Sequence, residues 1–301
     1  MASWYTGERR DLAQGAALID PAASIMVLSL CDPRNQALQQ FDLLDSIAEA
    51  APANLKCLIE LESRAWREML PKTSGLTAIS ADLAVDGLRA MTFVESSDAS
   101  ALLSIVGNLL SAPELAEIGV MVDALAAREV SGTSWTEYRV RFDVEKFVQC
   151  FDDEAVIPPE DRAKADLALA TFLGADGLRV GLADRNGFLV ARIGGDDAFA
   201  TRTAARVGTR PTGLGTGIQN ALANSRSVNA AWLAQLDIGR VLTQVSDLAT
   251  RFGEPLDIPR ELIGESFPIT LHAVVDGLVW RGAIEVDAED IARFVRALDE
   301  K

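Results

Sequence analysis

The densest run of chemistry-capable residues is Gly208-Thr209-Arg210-Pro211-Thr212-Gly213-Leu214-Gly215-Thr216-Gly217. Glycines at this spacing can bring backbone N–H groups close to an anion, and Arg210 adds charge. The candidate binding residues are therefore Arg210, Thr212, Gly213, Gly215, Thr216 and Gly217. A dinucleotide fingerprint needs G-x-G-x-x-G spacing after a strand. Here the spacing is G-x-G-x-G and a helix is predicted before it, and no Gly-Lys-Ser/Thr of a P-loop is present. The competing reading is a flexible connection between two structured segments.

The chain has a single histidine, His272, on a predicted strand and on the face opposite Leu271 and Ala273. Histidine titrates near neutral pH and can act as a general base. With no identifiable nucleophile nearby, a structural role is the simpler reading. Three aspartates, Asp32, Asp143 and Asp237, recur between a predicted strand and a predicted helix. One active site needs different residues converging, whereas three helices each need an N-cap, so these read as caps. Acidic runs such as Asp152-Asp153-Glu154 and Asp196-Asp197 lack the EF-hand pattern and read as helix ends and solvated faces. Cys31, Cys57 and Cys150 are odd in number and without metal-ligand spacing, which argues against a disulfide framework and for inert packing. No catalytic residue, metal ligand or cofactor motif is assigned.

What must position any site is a pattern repeated three times. Asp86-Gly87-Leu88, Asn186-Gly187-Phe188 and Asp276-Gly277-Leu278 share one form, and Ser97, Asp197 and Asp287 stand ten residues after each glycine as candidate helix caps. Strands are predicted at 25–30, 138–142 and 231–236. The second alternates Tyr138, Val140 and Phe142 against Arg139 and Arg141, as a half-buried strand does. After Asp143 and Asp237 come apolar stripes at helical spacing: Val144, Phe147, Val148, Phe151 and Ile238, Val241, Leu242, Val245. Alternating strands such as Ile79, Ala81, Leu83 and Val85 then run into the Asp-Gly pairs, where two-residue type I′ turns are expected. The middle copy suggests a longer loop over Ala183–Gly187.

The fold class is α+β: three divergent β-α-β-β-α units over 22–112, 134–208 and 230–299, with ferredoxin-like pairing, the opening strand of one unit serving as fourth strand of another. Helices should pack on a mainly antiparallel sheet in two layers, forming one continuous or two closely packed domains. The linker Ser111–Gly132 holds enough Leu, Ile and Val for another helix. Trp135 and Trp232, at or before opening strands, suggest packing between units, while Trp66 and Trp280 are scattered.

This plan resembles exported bacterial proteins of unknown function built from tandem strand-helix and hairpin-helix units. The resemblance rests on the residue pattern above and covers most of the chain. It implies an extracytoplasmic, non-enzymatic protein.

Composition bounds the rest. Hydrophobic residues make up 49% and charged residues 24%, a globular balance. A net charge of −16 repels nucleic-acid backbone and anionic membranes. No run of about 18 apolar residues predicts a transmembrane helix. Met1–Gly15 has no apolar signal-peptide core, so the chain reads as cytoplasmic, although one shortened by an export signal would read the same. The leading expectation is a non-enzymatic binding or scaffold protein with an unknown protein or ligand as partner. The rivals are an acid-base hydrolase using Asp or Glu and an envelope lipid- or polymer-binding protein. Any grafted function is expected within 176–220.

Overall fold

Apolar residues at strand period, separated by helix-period stripes, give an antiparallel sheet with helices between its strands. In this computed structural model the described residues are 12–30, 47–49, 51, 53–84, 87–149, 156–207, 230–252, 255–256, 258–259, 262–276 and 279–299. A 3-10 helix, Leu12–Leu18, precedes β1 (Ile25–Ser29), α1 (Ala53–Met69), β2 (Thr73–Ala84), β3 (Gly87–Ser96) and α2 (Ala99–Leu110). Next come α3 (Glu114–Glu117), β4 (Val120–Ala124), β5 (Arg128–Val130), β6 (Thr133–Phe142), α4 (Val144–Gln149) and α5 (Pro159–Leu173). Then follow β7 (Leu178–Arg185), β8 (Phe188–Ile193), α6 (Asp197–Arg206), β9 (Ala230–Asp237), α7 (Ile238–Arg251), β10 (Pro268–Asp276), β11 (Val279–Val286) and α8 (Ala288–Asp299).

The α+β class holds, and the eleven strands among the described residues join in antiparallel pairs in the order β11-β10-β9-β1-β2-β3-β8-β7-β6-β4, with β5 also on β6. The strand order departs from the ferredoxin-like expectation. Each of β1–β3, β6–β8 and β9–β11 is a meander in which sequence neighbours pair, and β1 lies between β2 and β9. A ferredoxin-like unit would need its first strand to sit between its third and fourth. Here β1 returns antiparallel to β2, which leaves no slot for an interleaved strand.

Helices cover both faces, so there are three layers over the centre of the sheet rather than two. The 3-10 helix packs on β1, β2 and β9, and α6 packs on β8 and β5. On the opposite face α2 lies across β3, β8 and β7, with α1 beside it. Strands with two covered faces lose the clean in-out alternation. In β7, Gly181, Leu182 and Ala183 are buried in succession. Trp135, Glu137 and Tyr138 are likewise all buried in β6. One row of directly opposed residues crosses six strands at 0% exposure: Leu233, Leu28, Ala78, Phe93, Val190 and Ala183.

The Ser111–Gly132 linker holds little helix: α3 has four residues, and Val120–Ala124 forms a strand on β6. Alternation of Val120 and Val122 with Met121 and Asp123 suits an outer strand. The middle hairpin is tighter than expected. Its strands close at Arg185 and Phe188, and Asn186 and Gly187 both take positive φ (50° and 80°), the two-residue type I′ geometry. In the other two hairpins the last pairs are Ala84–Gly87 and Asp276–Val279, and the turns between lie outside the described residues. Ala99–Glu117 is long and apolar enough for a membrane span by composition. It is interrupted after Leu110, and Ala99, Leu102 and Gly107 are buried, so it is no clear transmembrane segment.

The capping aspartates behave as expected at two positions, and Asp32 lies outside the described residues. Asp143 accepts from the Lys146 N–H at 3.2 Å. Asp237, 4% exposed, accepts from the N–H groups of Arg240 (3.2 Å) and Phe267 (3.0 Å) and from the Ser266 hydroxyl (2.6 Å). In the second set Asp287 caps α8, but the other two caps shift by one residue to Asp98 and Asp196. The Ser97 hydroxyl bonds the Lys72 carbonyl instead, and Asp197 pairs with Arg128. Because Asp237 also fastens the approach to β10, Asp237→Ala should lower stability by about 2–3 kcal/mol, against about 1 kcal/mol for Asp143→Ala. Urea unfolding of both variants measures the difference.

Candidate functional site

One row along from the fully buried residues, the same sheet face turns polar. Thr270, Gln235, Met26, Ser80, Met91, Arg192, Gly181 and Glu137 oppose one another across eight strands. Two features stand on this band: a buried ionic cluster at one end and an open cleft beside Ser80 and Met91.

The cluster centres on Glu137 of β6, 3% exposed, and Arg192 of β8, 0% exposed. The Arg192 Nη2 donates to Glu137 Oε1 at 2.5 Å, and its Nη1 donates to the Gly194 carbonyl at 3.1 Å. Arg128 of β5 reaches the same Oε1 at 3.1 Å and extends its other nitrogen to Asp197 at 2.6 Å. Arg179 of β7 approaches Oε2 at 3.6 Å. The Arg192 guanidinium also lies 5.4 Å from the Trp135 ring centroid, a cation–π geometry. Gly181 makes this stacking possible, since a Cβ there would fall 2.8 Å from Arg192 Nε and 3.1 Å from the indole. Burial pushes the Arg192 guanidinium below its usual value, against the pull of Glu137. Desolvation is the largest single influence on the Arg128 guanidinium and lowers it, but Glu137 and Asp197 together raise it above its usual value. Trp135 thus packs against Arg192 inside the common core.

The cleft has a volume of about 160 Å³ and is walled by the turn after the 3-10 helix, by β2–β3 and by α6. Asp20, Asp82, Arg89 and Arg202 supply its ionic groups, and Met91 and Phe199 its apolar surface. Both carboxylates are already engaged. Asp20 pairs with Arg206 at 3.2 Å and accepts from the Ala22 N–H, while Asp82 accepts from the Gln244 amide. Gln244 in turn accepts from the Leu83 N–H and the Ser24 hydroxyl, each at 3.3 Å. The Asp20 N–H donates to Ser80 Oγ at 2.9 Å, which ties the turn to the sheet. The Arg202 guanidinium lies 5.7 Å from the Phe199 ring centroid. At the head of α6, the Phe199 N–H, and after it the charges of Arg89 and Arg202, hold the Asp196 carboxyl below the usual range despite partial desolvation.

Arg210, Thr212, Gly213, Gly215, Thr216 and Gly217 lie outside the described residues, as do Cys31, Cys150 and Asp152-Asp153-Glu154. His272 sits on β10 with its Nδ1 3.6 Å from Glu285 Oε1. Three strand spacings, about 14 Å, separate β10 from β2, so His272 does not share the cleft. Among the described residues no group of three His, Cys, Asp or Glu could hold a metal ion. The residues missed by sequence reasoning are Glu137, Arg192, Arg89 and Arg202. Only Arg192 has a legible signal, a charge standing inside the otherwise apolar strand Phe188-Leu189-Val190-Ala191-Arg192-Ile193.

Removing Glu137 strands a buried guanidinium, whereas removing Arg192 leaves Glu137 with two other arginines. Glu137→Gln should therefore cost about 3–5 kcal/mol and Arg192→Met less, as read by denaturant unfolding. The depressed Asp196 carboxyl means that its capping contribution is complete above the unfolded pKa of about 3.9 and disappears as pH falls through the lower folded value. An NMR titration of Asp196 and of the Phe199 amide should place that midpoint below the ordinary aspartate range.

No family model matches the chain, and no curated protein matches it. The likeness to exported repeat proteins therefore remains an expectation from the residue pattern. Among solved structures, crystal forms IV and III of TP0453 align with TM-scores of 0.39 each and 8% identity. Form IV covers 94% of this chain and 84% of that chain, and form III 93% and 85%. Form I aligns with a TM-score of 0.34 over 98% and 88%, again at 8% identity. The chain is similar to TP0453 only at this slight level, which carries no conclusion about function.

Proposed function

We propose that the protein is a non-enzymatic binding protein whose ligand seat is the cleft between the Asp20 turn, β2–β3 and α6. The ligand class is a small organic anion, a carboxylate attached to apolar carbon. The observation that carries this reading is Arg202 standing with Met91 and Phe199 in one cleft whose carboxylates, Asp20 and Asp82, are engaged by Arg206 and Gln244. Guanidinium groups beside an apolar floor suit an anionic head and a short carbon body.

An acid-base hydrolase draws less from the same place. General acid-base work needs carboxyl groups within reach of substrate, and Asp20 and Asp82 are held by partners from the protein itself. A lipid- or polymer-binding role calls for a continuous apolar groove, whereas four ionic side chains line this cleft.

The test is calorimetric titration with a panel of short-chain carboxylates and their matched neutral alcohols. The expected result is binding of carboxylates alone, weakened about tenfold or more by Arg202→Glu without change in the unfolding midpoint. A panel with no binder, or binding indifferent to Arg202→Glu, would overturn the proposal. Turnover of ester or amide substrates that is lost in Asp82→Asn would replace it with the hydrolase.

A further inference from the structure

At one end of the sheet lies β11, with the sequence Val279-Trp280-Arg281-Gly282-Ala283-Ile284-Glu285-Val286. Among the described residues it pairs with β10 alone. Gly282, Ala283 and Ile284 are exposed in succession, Ile284 to 70%, so among the described residues nothing covers either face of this stretch. An outer strand of eight residues presents a row of backbone donors and acceptors to any second strand, and proteins normally blunt such an edge.

The sequence of β11 is complementary to itself in one antiparallel register. Laid against its own reverse about Ala283, it sets Arg281 opposite Glu285, Gly282 opposite Ile284, and Trp280 opposite Val286. Moving the centre by one residue in either direction loses the match within the strand. Arg281 then meets Ala283, or it meets Asp287, which lies past the end of β11 and caps α8. Opposite charges directly across a strand pair are favourable and like charges are not. A two-fold interface makes every such pair twice, which doubles the selectivity of the register. The Gly282–Ile284 pairing also sets Ile284, 70% exposed, over a residue without a side chain. Glu285 stands on the face of the sheet that carries His272 of β10, with its carboxylate 3.6 Å from the Nδ1 of that ring.

We propose that β11 pairs antiparallel with β11 of a second copy of this chain, in the register centred on Ala283, to form a two-fold dimer with one sheet running through both copies. The proposal is independent of the cleft and its ligand. Strand pairing alone buries a modest area, so the association is reversible and concentration-dependent.

Sedimentation velocity over a hundredfold concentration range tests this directly. Wild type should move from monomer to dimer. Arg281→Glu and Glu285→Arg should each weaken the dimer by about tenfold or more, because each creates two like-charge pairs. An equimolar mixture of the two variants sets an edge with two acidic residues against an edge with two basic ones. Both opposite-charge pairs are then restored, and the mixture should recover wild-type association; so should the double variant. Matching circular dichroism and unfolding midpoints confirm that the variants are folded. A monomer at every concentration overturns the proposal, as does a dimer unaffected by either substitution, or a mixture no tighter than its components.

Discussion

A carboxylate held among three guanidinium groups constrains the β6–β8 end of the sheet. Glu137 and Arg192 are buried in adjoining parts of a sheet covered on both faces, so neither charge can be relieved by water. A buried pair of this kind rarely adds much net stability, because desolvation offsets the attraction. What it does add is a strict requirement on alignment. Arg192 reaches Glu137 only when β6, β7 and β8 hold their register, with Gly181 between them leaving room for the guanidinium on Trp135. A slip of one residue would turn both charges to the opposite face, into the apolar layer beneath α2.

Helix α6 couples that core to the surface. Its first turn is anchored by the Asp196 cap and by the Asp197–Arg128 pair, and so answers to the ionic cluster. Its middle delivers Phe199 and Arg202 to the cleft, and its end delivers Arg206 to Asp20. Ten residues thus connect a buried electrostatic arrangement to an open recess. The described part of 176–220 contributes Arg179, Arg192, Phe199 and Arg202, and the glycine-rich stretch Gly208–Gly217 lies outside the described residues.

Much of the architecture was legible in the residues. Strand positions and the helices after Asp143 and Asp237 follow from local pattern, which depends on near neighbours, whereas the Asn186-Gly187 turn is tighter than the loop read over Ala183–Gly187. Caps were legible to within one residue, since Ser97 and Asp98, or Asp196 and Asp197, are chemically equivalent candidates and only backbone conformation chooses. Strand order was not legible. It depends on which edges meet across long stretches of chain, and β1 gives no local sign that its partner is β9. The cleft was hidden for a related reason: Asp20, Asp82, Arg89 and Arg202 come from four separate places, and each alone reads as an ordinary surface charge.

The meander order has a consequence for how the chain is made. Strand β1, at residues 25–29, takes β2 on one side early in synthesis, but its other side is filled by β9 at residues 230–237. For about two hundred intervening residues, roughly ten to forty seconds at ordinary ribosomal rates, the nascent protein carries an open strand in what will become the middle of its sheet. The fully buried Leu28–Leu233 contact is therefore among the last to form, and it seals the first meander to the last. A chain stopped before β9 would keep that edge exposed permanently, making the last seventy residues the guard of the first thirty.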